Sequence, residues 1–182
     1  MSLPVTDVER ELLHTRRVRY EGYKRADGLW DIEAHLTDIK NHDFQLKTGV
    51  RRAGQPVHSM WLRLTIDRDF NVVDASASTD AVPYPGGCEN IAPAYRQLIG
   101  LNLGQQFRKK SRERLGGVRG CTHLTEMLYG MPTAAIQSFA GERKEDTDDG
   151  SKPFQLDQCH ALETTTQTVR KWYPKWYRGK AA

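Results

Sequence analysis

The order of two hydrophobic periodicities constrains the fold of this 182-residue chain more than any other feature. Residues 29–38 alternate apolar and polar side chains, as a β-strand with one buried face does. The Asp27-Gly28 pair just before them is a turn signal, so residues 18–38 are predicted to form a β-hairpin. Two further strands are predicted at residues 57–66 and 72–78. The first half is therefore expected to be an antiparallel meander of about four strands.

Helical spacing replaces this alternation in the second half of the chain. Apolar residues fit amphipathic helices at about 91–98 and 103–115. A third helix is predicted from Thr122, as its N-cap, to about residue 139, with Pro132 kinking or splitting it. Because strands precede helices in blocks, the predicted fold class is α+β, with the antiparallel sheet packed against about three helices.

Three segments are predicted from the composition along the chain. Residues 1–140 are expected to form a single α+β domain, and residues 141–152 an acidic loop. Residues 153–182 carry two Trp-Tyr pairs, which predicts an aromatic C-terminal arm that orders by packing. That arm is expected to lie on the body of the protein or on a second subunit, in which case it would form a homodimer.

The charge, apolar runs and cysteines exclude several classes of function. The net charge is only +4 and basic residues are mixed with acidic ones, so nucleic acid is not an expected partner. The charged run at 108–114 is most simply a solvated helix face, with anion binding as the alternative. No apolar run is long enough for a membrane, and residues 1–4 do not begin a secretory signal. Three widely spaced cysteines make no disulfide framework, so the cytoplasm is the expected compartment.

The side chains best suited to chemistry are cysteines and histidines near predicted helix starts. Cys121 and His123 follow glycine breaks at the start of one helix, and Cys88 lies in a Gly-Pro loop before another. Both openings are expected at the same end of the sheet, with the two thiols near each other. A zinc or iron site is therefore predicted at Cys88, Cys121 and His123, with Cys159 reaching in from the tail. Asp38 and His58 are the predicted catalytic acid or base.

Short motifs carry two resemblances. Residues 25–31, 37–40 and 58–60, Pro83-Tyr84 with Cys88, and Gly120-Cys121-Thr122-His123-Leu124 resemble a bacterial family of uncharacterised proteins that carries a domain-of-unknown-function label. The layout of strands, glycine-flanked cysteine and helices is more distantly similar to iron–sulfur scaffold proteins of the NifU and SufE type.

The scaffold resemblance implies a ligand set. Cys88 and Cys121 match by position, and His123 approximately, the residues that hold zinc or a nascent cluster in that family. The family's further cysteine between the early strands has no counterpart here. Asp38, His42, His58 or Cys159 would have to fill that place.

Three functions follow from these residues. The first is a metal-dependent enzyme of lyase or hydrolase type, acting on a small organic molecule, with an aromatic compound of bacterial catabolism as one option. Its pocket is expected between sheet and helices, lined by Trp30, Trp61 and Tyr84. The second is a non-enzymatic iron–sulfur or zinc-binding scaffold module. The third is an enzyme with Cys121 as nucleophile and a histidine as base.

Overall fold

A computed structural model describes residues 3–140 and 150–179. Its strands are β1 (His14–Lys24), β2 (Trp30–Lys40), β3 (Phe44–Leu46), β4 (Gly49–Arg51), β5 (Pro56–Ile66) and β6 (Val72–Ala81). The main feature is a four-stranded antiparallel sheet with the order β1-β2-β5-β6, as the predicted meander requires. The connection between β2 and β5 adds a small hairpin of two strands, β3 and β4.

The helices follow the sheet in sequence, which confirms the α+β prediction. They are α1 (Phe107–Leu115), α2 (Thr122–Leu128), α3 (Met131–Ser138) and α4 (Gln167–Trp172), with 3₁₀ segments at Glu89–Leu98, Gly117–Arg119, His160–Leu162 and Pro174–Trp176. None of the helices in the described parts of the chain is long and apolar enough to cross a membrane.

The helices depart from the predictions in two ways and agree with them in a third. Residues 89–98 form a 3₁₀ helix with Pro93 inside it, where an amphipathic helix at about 91–98 was predicted. The helix predicted from residue 122 to 139 is split before Met131, which is one of the two predicted effects of Pro132; this proline sits in the first turn of α3, where its missing N–H costs nothing. Cys121, not Thr122, is the N-cap of α2.

The chain divides into two compact units, Met1–Ser138 and Phe139–Ala182. Residues 141–149 of the predicted acidic loop lie outside the described residues. Within the second unit, the Asp157 carboxylate accepts a hydrogen bond from the backbone N–H of Thr164 and pairs with Lys152. Packing of the aromatic arm on the body or on a second subunit stays a prediction.

The core of the first unit lies on one face of the sheet. In β2, Trp30, Ile32, Ala34 and Leu36 are buried, and the residues between them are half-buried on the opposite face. The helices α2 and α3 pack against β2, and α2 also packs against β5. Because side chains alternate along a strand, Asp38 falls on the same core face as Leu36. A buried carboxylate is costly unless it is paired, so the fold must supply partners there.

Candidate metal site

A row of three polar residues crosses the sheet at the end of β2. The β1–β2 register places Arg16 opposite Asp38, and the β2–β5 register places His58 opposite Asp38 on the other side. Directly opposed residues of antiparallel strands share a face and lie close together. The register shifts after Asp38, so the regular ladder between β2 and β5 is interrupted beside this carboxylate.

Both oxygens of the Asp38 carboxylate have partners. Oδ1 accepts hydrogen bonds from Arg16 Nε at 2.8 Å and from His14 Nε2 at 2.9 Å. Oδ2 accepts from Arg16 Nη2 at 2.8 Å and lies 3.0 Å from His58 Nδ1. Asp38 is only 4% exposed, so these contacts offset the cost of its burial. Arg16 forms a bidentate pair with both carboxylate oxygens, which fixes the plane of the carboxylate.

His123 reaches the same carboxylate from the first turn of α2. Its Nε2 lies 3.8 Å from Asp38 Oδ2, and its ring centroid lies 3.9 Å from that of His58. Among the described residues, Asp38, His58 and His123 form a group whose ligand atoms all lie within 4.8 Å of one another. The site therefore joins two imidazoles and one carboxylate from β2, β5 and α2.

Tyr95 sets the position of the α2 start. Its hydroxyl accepts a hydrogen bond from the Cys121 backbone N–H at 3.1 Å and lies 3.0 Å from the Cys121 carbonyl. The same hydroxyl lies 2.9 Å from Thr125 Oγ1 in the first turn of the helix. Since Tyr95 is fully buried, it ties the Cys121–Thr125 turn, and with it His123, to the 3₁₀ segment that contains Tyr95.

We expect Tyr95→Phe to lower the free energy of unfolding by about 1–3 kcal/mol, because it leaves the Cys121 N–H without its partner. Urea unfolding measures the loss. Tyr129→Phe is the matched control, since the Tyr129 hydroxyl bonds to no described residue and should change stability little. Equal effects of the two substitutions would contradict the anchoring role of Tyr95.

Burial and charge set the ionisation of the three ligand candidates. Burial alone raises the pKa of Asp38, but hydrogen bonds from Arg16 and His14 outweigh it and lower the pKa to about 2. Burial lowers the pKa of both His58 and His123, with the nearby His123 as a second cause for His58 and Arg16 as a second cause for His123. At neutral pH the carboxylate is therefore charged and the imidazoles neutral, the forms in which they bind metals.

The lowered pKa of Asp38 predicts a pH-dependent stability. The pKa of Asp38 is lower in the folded chain than its ordinary value of 3.8. The ionised carboxylate therefore contributes fully to folding stability above about pH 4, and this contribution is lost as the pH falls through about 2. Between those values, the metal-free wild type should lose on the order of 2 kcal/mol more stability than Asp38→Asn. Urea unfolding at several pH values in the presence of a chelator measures the difference. If the free energy of unfolding depends on pH in the same way for both proteins, the ionisation of Asp38 does not contribute to stability as described.

The other predicted ligands lie outside the group. The Cys121 sulfur is close by, 3.9 Å from His123 Nδ1 and 4.0 Å from the Met60 sulfur. Cys88 is half-buried at the start of the Glu89–Leu98 segment, and Cys159 is exposed in the second unit. Neither belongs to the three-residue group, and metal binding by them stays a prediction.

The predicted aromatic pocket between sheet and helices is wrong. Trp30 is buried on the core face, but Trp61 lies on the opposite face, where its ring stacks on His35 at 3.8 Å. Its Nε1 donates to Asp80 Oδ2 at 2.7 Å. The period of two along β5 is the reason, because Trp61 follows Met60 and must point the other way. Tyr84 is exposed after the end of β6.

Sequence reasoning missed His14, Arg16 and Glu126. A signal for Arg16 was available in the hairpin, because Arg16 and Asp38 are each eleven residues from Asp27 at its turn. Counting outward from the turn therefore predicts that they oppose each other. Glu126, whose Oε2 lies 2.9 Å from Arg16 Nη1, belongs to α2, and no local pattern links it to β1.

The fold and the site define an α+β protein with a buried carboxylate–histidine cluster on the core face of its sheet. A family model described as "Protein of unknown function (DUF2889)" matches residues 14–137, so the chain belongs to that family. The matched span begins at His14 and contains every residue of the cluster. No curated protein and no solved structure matches this chain.

Proposed function

We propose that this protein binds one zinc or iron ion through Asp38, His58 and His123 and is a metal-dependent enzyme. The observation that carries the proposal is the convergence of three donor atoms from three different elements. Two imidazoles with one carboxylate are a ligand set of catalytic zinc sites and of non-haem iron(II) sites, and both leave coordination positions open for water or substrate.

The spacing of the donor atoms supports a metal of this size. Ligands at about 2.1 Å from a tetrahedral ion lie about 3.4 Å from one another. The two measured separations from Asp38 Oδ2, 3.0 Å to His58 Nδ1 and 3.8 Å to His123 Nε2, bracket that value. Only small side-chain movements are needed for all three to bind one ion.

Arg16 and His14 would form the outer shell of the metal site. Both donate hydrogen bonds to Asp38, and metal-ligating carboxylates are commonly held by such bonds. His58 and His123 are 14% and 25% exposed, so solvent reaches their edge of the cluster. A bound ion there would polarise a substrate oxygen or activate water, which is the chemistry of a lyase or hydrolase acting on a small organic molecule.

The ligand set favours an enzyme over an iron–sulfur scaffold. The three-residue group contains no thiol, whereas iron–sulfur clusters are held mainly by cysteine thiolates. One observation favours a cysteine nucleophile as a second candidate, since the Cys121 sulfur lies 3.9 Å from His123 Nδ1.

The three free cysteines also suit a reducing compartment, and we propose the cytoplasm.

A substrate screen on metal-loaded protein tests the enzymatic part of the proposal. Protein loaded with Zn²⁺ or with Fe²⁺ under anaerobic conditions would be incubated with pools of small esters, lactones and hydroxy acids, and turnover followed by mass spectrometry. We expect turnover that disappears on chelation and in His58→Ala, and that persists in Cys121→Ser. If the activity is lost in Cys121→Ser and is unaffected by chelation, the protein is instead an enzyme with a cysteine nucleophile.

A further inference from the structure

The Arg16 guanidinium has one edge inside the cluster and one edge toward solvent. Nε and Nη2 donate to the two oxygens of Asp38, each at 2.8 Å. The remaining nitrogen, Nη1, donates to Glu126 Oε2 at 2.9 Å. Since two hydrogen bonds to the buried Asp38 carboxylate fix the plane of the guanidinium, they also fix the direction in which Nη1 points.

Glu126 is a replaceable partner. The Glu126 side chain is 51% exposed and that of Arg16 is 36% exposed. Exposed ion pairs of this kind contribute only about 0.2–1 kcal/mol, whereas the contacts of Arg16 with buried Asp38 are screened much less. A carboxylate that arrives with its own binding energy can therefore displace Glu126 while Arg16 stays in place.

Glu126 also indicates which chemical group this position accepts. A carboxylate oxygen already sits 2.9 Å from Nη1, in charge-assisted hydrogen-bond geometry. Asp38 Oδ2 accepts from Arg16 Nη2 and is also the oxygen proposed to bind the metal. With a metal bond of about 2.1 Å, the ion would lie within about 5 Å of Nη2, which is bonded to the same guanidinium carbon as Nη1.

We propose that Arg16 binds the carboxylate of the substrate and that Glu126 holds the place of that carboxylate in the free protein. The substrate class is then a small carboxylic acid whose carboxylate lies a few bonds from the oxygen that meets the metal. Assigning this group to a substrate rests on the proposed metal-dependent function, whereas the anion position itself rests on Arg16 and Glu126 alone.

Acetate titrations of the full chain, with and without Zn²⁺, test the inference by NMR shifts. Glu126→Gln removes the competing carboxylate and should tighten acetate binding by about two- to fivefold, the range that an exposed pair provides. Arg16→Lys keeps the charge but loses the fork, and should weaken acetate binding by at least about fivefold. Glu21→Gln, which alters the exposed pair of Arg19 and Glu21, is the matched control and should bind acetate as wild type does.

The outcomes separate this inference from the proposed function because metal content is measured on the same samples. Unchanged or weaker acetate binding in Glu126→Gln with metal retained overturns the inference and leaves the metal site standing. Arg16→Lys binding acetate as wild type does also overturns it, since acetate would then bind the metal without Arg16. Tighter binding of inorganic phosphate than of acetate overturns the carboxylate assignment. Tightening in metal-free Glu126→Gln supports the anion position even if no sample binds metal.

Discussion

Alanine at His58 or at His123 is expected to lower the affinity for Zn²⁺ by about 100-fold or more. Each substitution removes one of three protein ligands, and even the loss of an outer-shell partner commonly costs 10- to 100-fold. Competition with a fluorescent zinc chelator measures the affinity. For the wild type, the Zn²⁺ affinity should begin to fall only at a pH below the ordinary imidazole pKa of 6.5, because burial lowers the pKa of both histidines and protonated imidazoles do not bind metal.

His35→Ala is the matched control for the two ligand substitutions. His35 is also a half-buried histidine of the central sheet, but it lies on the opposite face, stacked on Trp61 and 3.0 Å from Ser59 Oγ. This variant should bind Zn²⁺ as wild type does, and so should Cys88→Ser. If the Cys88 variant loses the metal while the His58 variant keeps it, the ligand set is the cysteine-based one predicted from the sequence and our assignment is wrong.

Replacing Arg16 by methionine is expected to lower the free energy of unfolding by about 2–3 kcal/mol. The substitution removes the two shortest hydrogen bonds of the buried Asp38 carboxylate, both of which come from Arg16. Breaking a fully buried pair costs about 3–5 kcal/mol, and the smaller value here reflects the partial exposure of Arg16. Urea unfolding of metal-free protein at neutral pH measures the change.

Two further variants separate charge pairing from lost packing. Arg19→Met, also in β1, removes the exposed pair with Glu21 and a cation–π contact with the Trp61 ring, and should cost about 1 kcal/mol. Arg16→Met combined with Asp38→Leu removes both charges, and it should recover much of the stability lost by the single variant. Equal losses in Arg16→Met and Arg19→Met would show that Asp38 does not depend on Arg16.

The fold was predictable because its signals are local. Alternation along β2 and the turn at residues 27–28 predict the first hairpin, and the order of strands and helices then limits the class to α+β. The β3–β4 hairpin was not predicted. Each of its strands has only three residues, so the alternation of Phe44-Gln45-Leu46 is too short to indicate a strand.

The site was predictable in its members but not in their grouping. Asp38, His58 and His123 are each singled out by the sequence, yet the predicted ligands centre on the cysteines. What joins Asp38 to His58 is the β2–β5 register across a fifteen-residue connection, and no rule of turn geometry gives that register. The Arg16–Asp38 pair could have been predicted from the sequence, since the hairpin register follows from its turn.

X-ray absorption at the metal edge of protein loaded with one equivalent of Zn²⁺ tests the central claim most directly. We expect one bound ion whose first shell contains two imidazole nitrogens at about 2.0–2.1 Å and a carboxylate oxygen at about 2.0–2.2 Å, with water completing it. The imidazole signal should fall by half in His123→Ala. A sulfur shell at about 2.3 Å, or no stoichiometric metal at all, would contradict a site made by Asp38, His58 and His123.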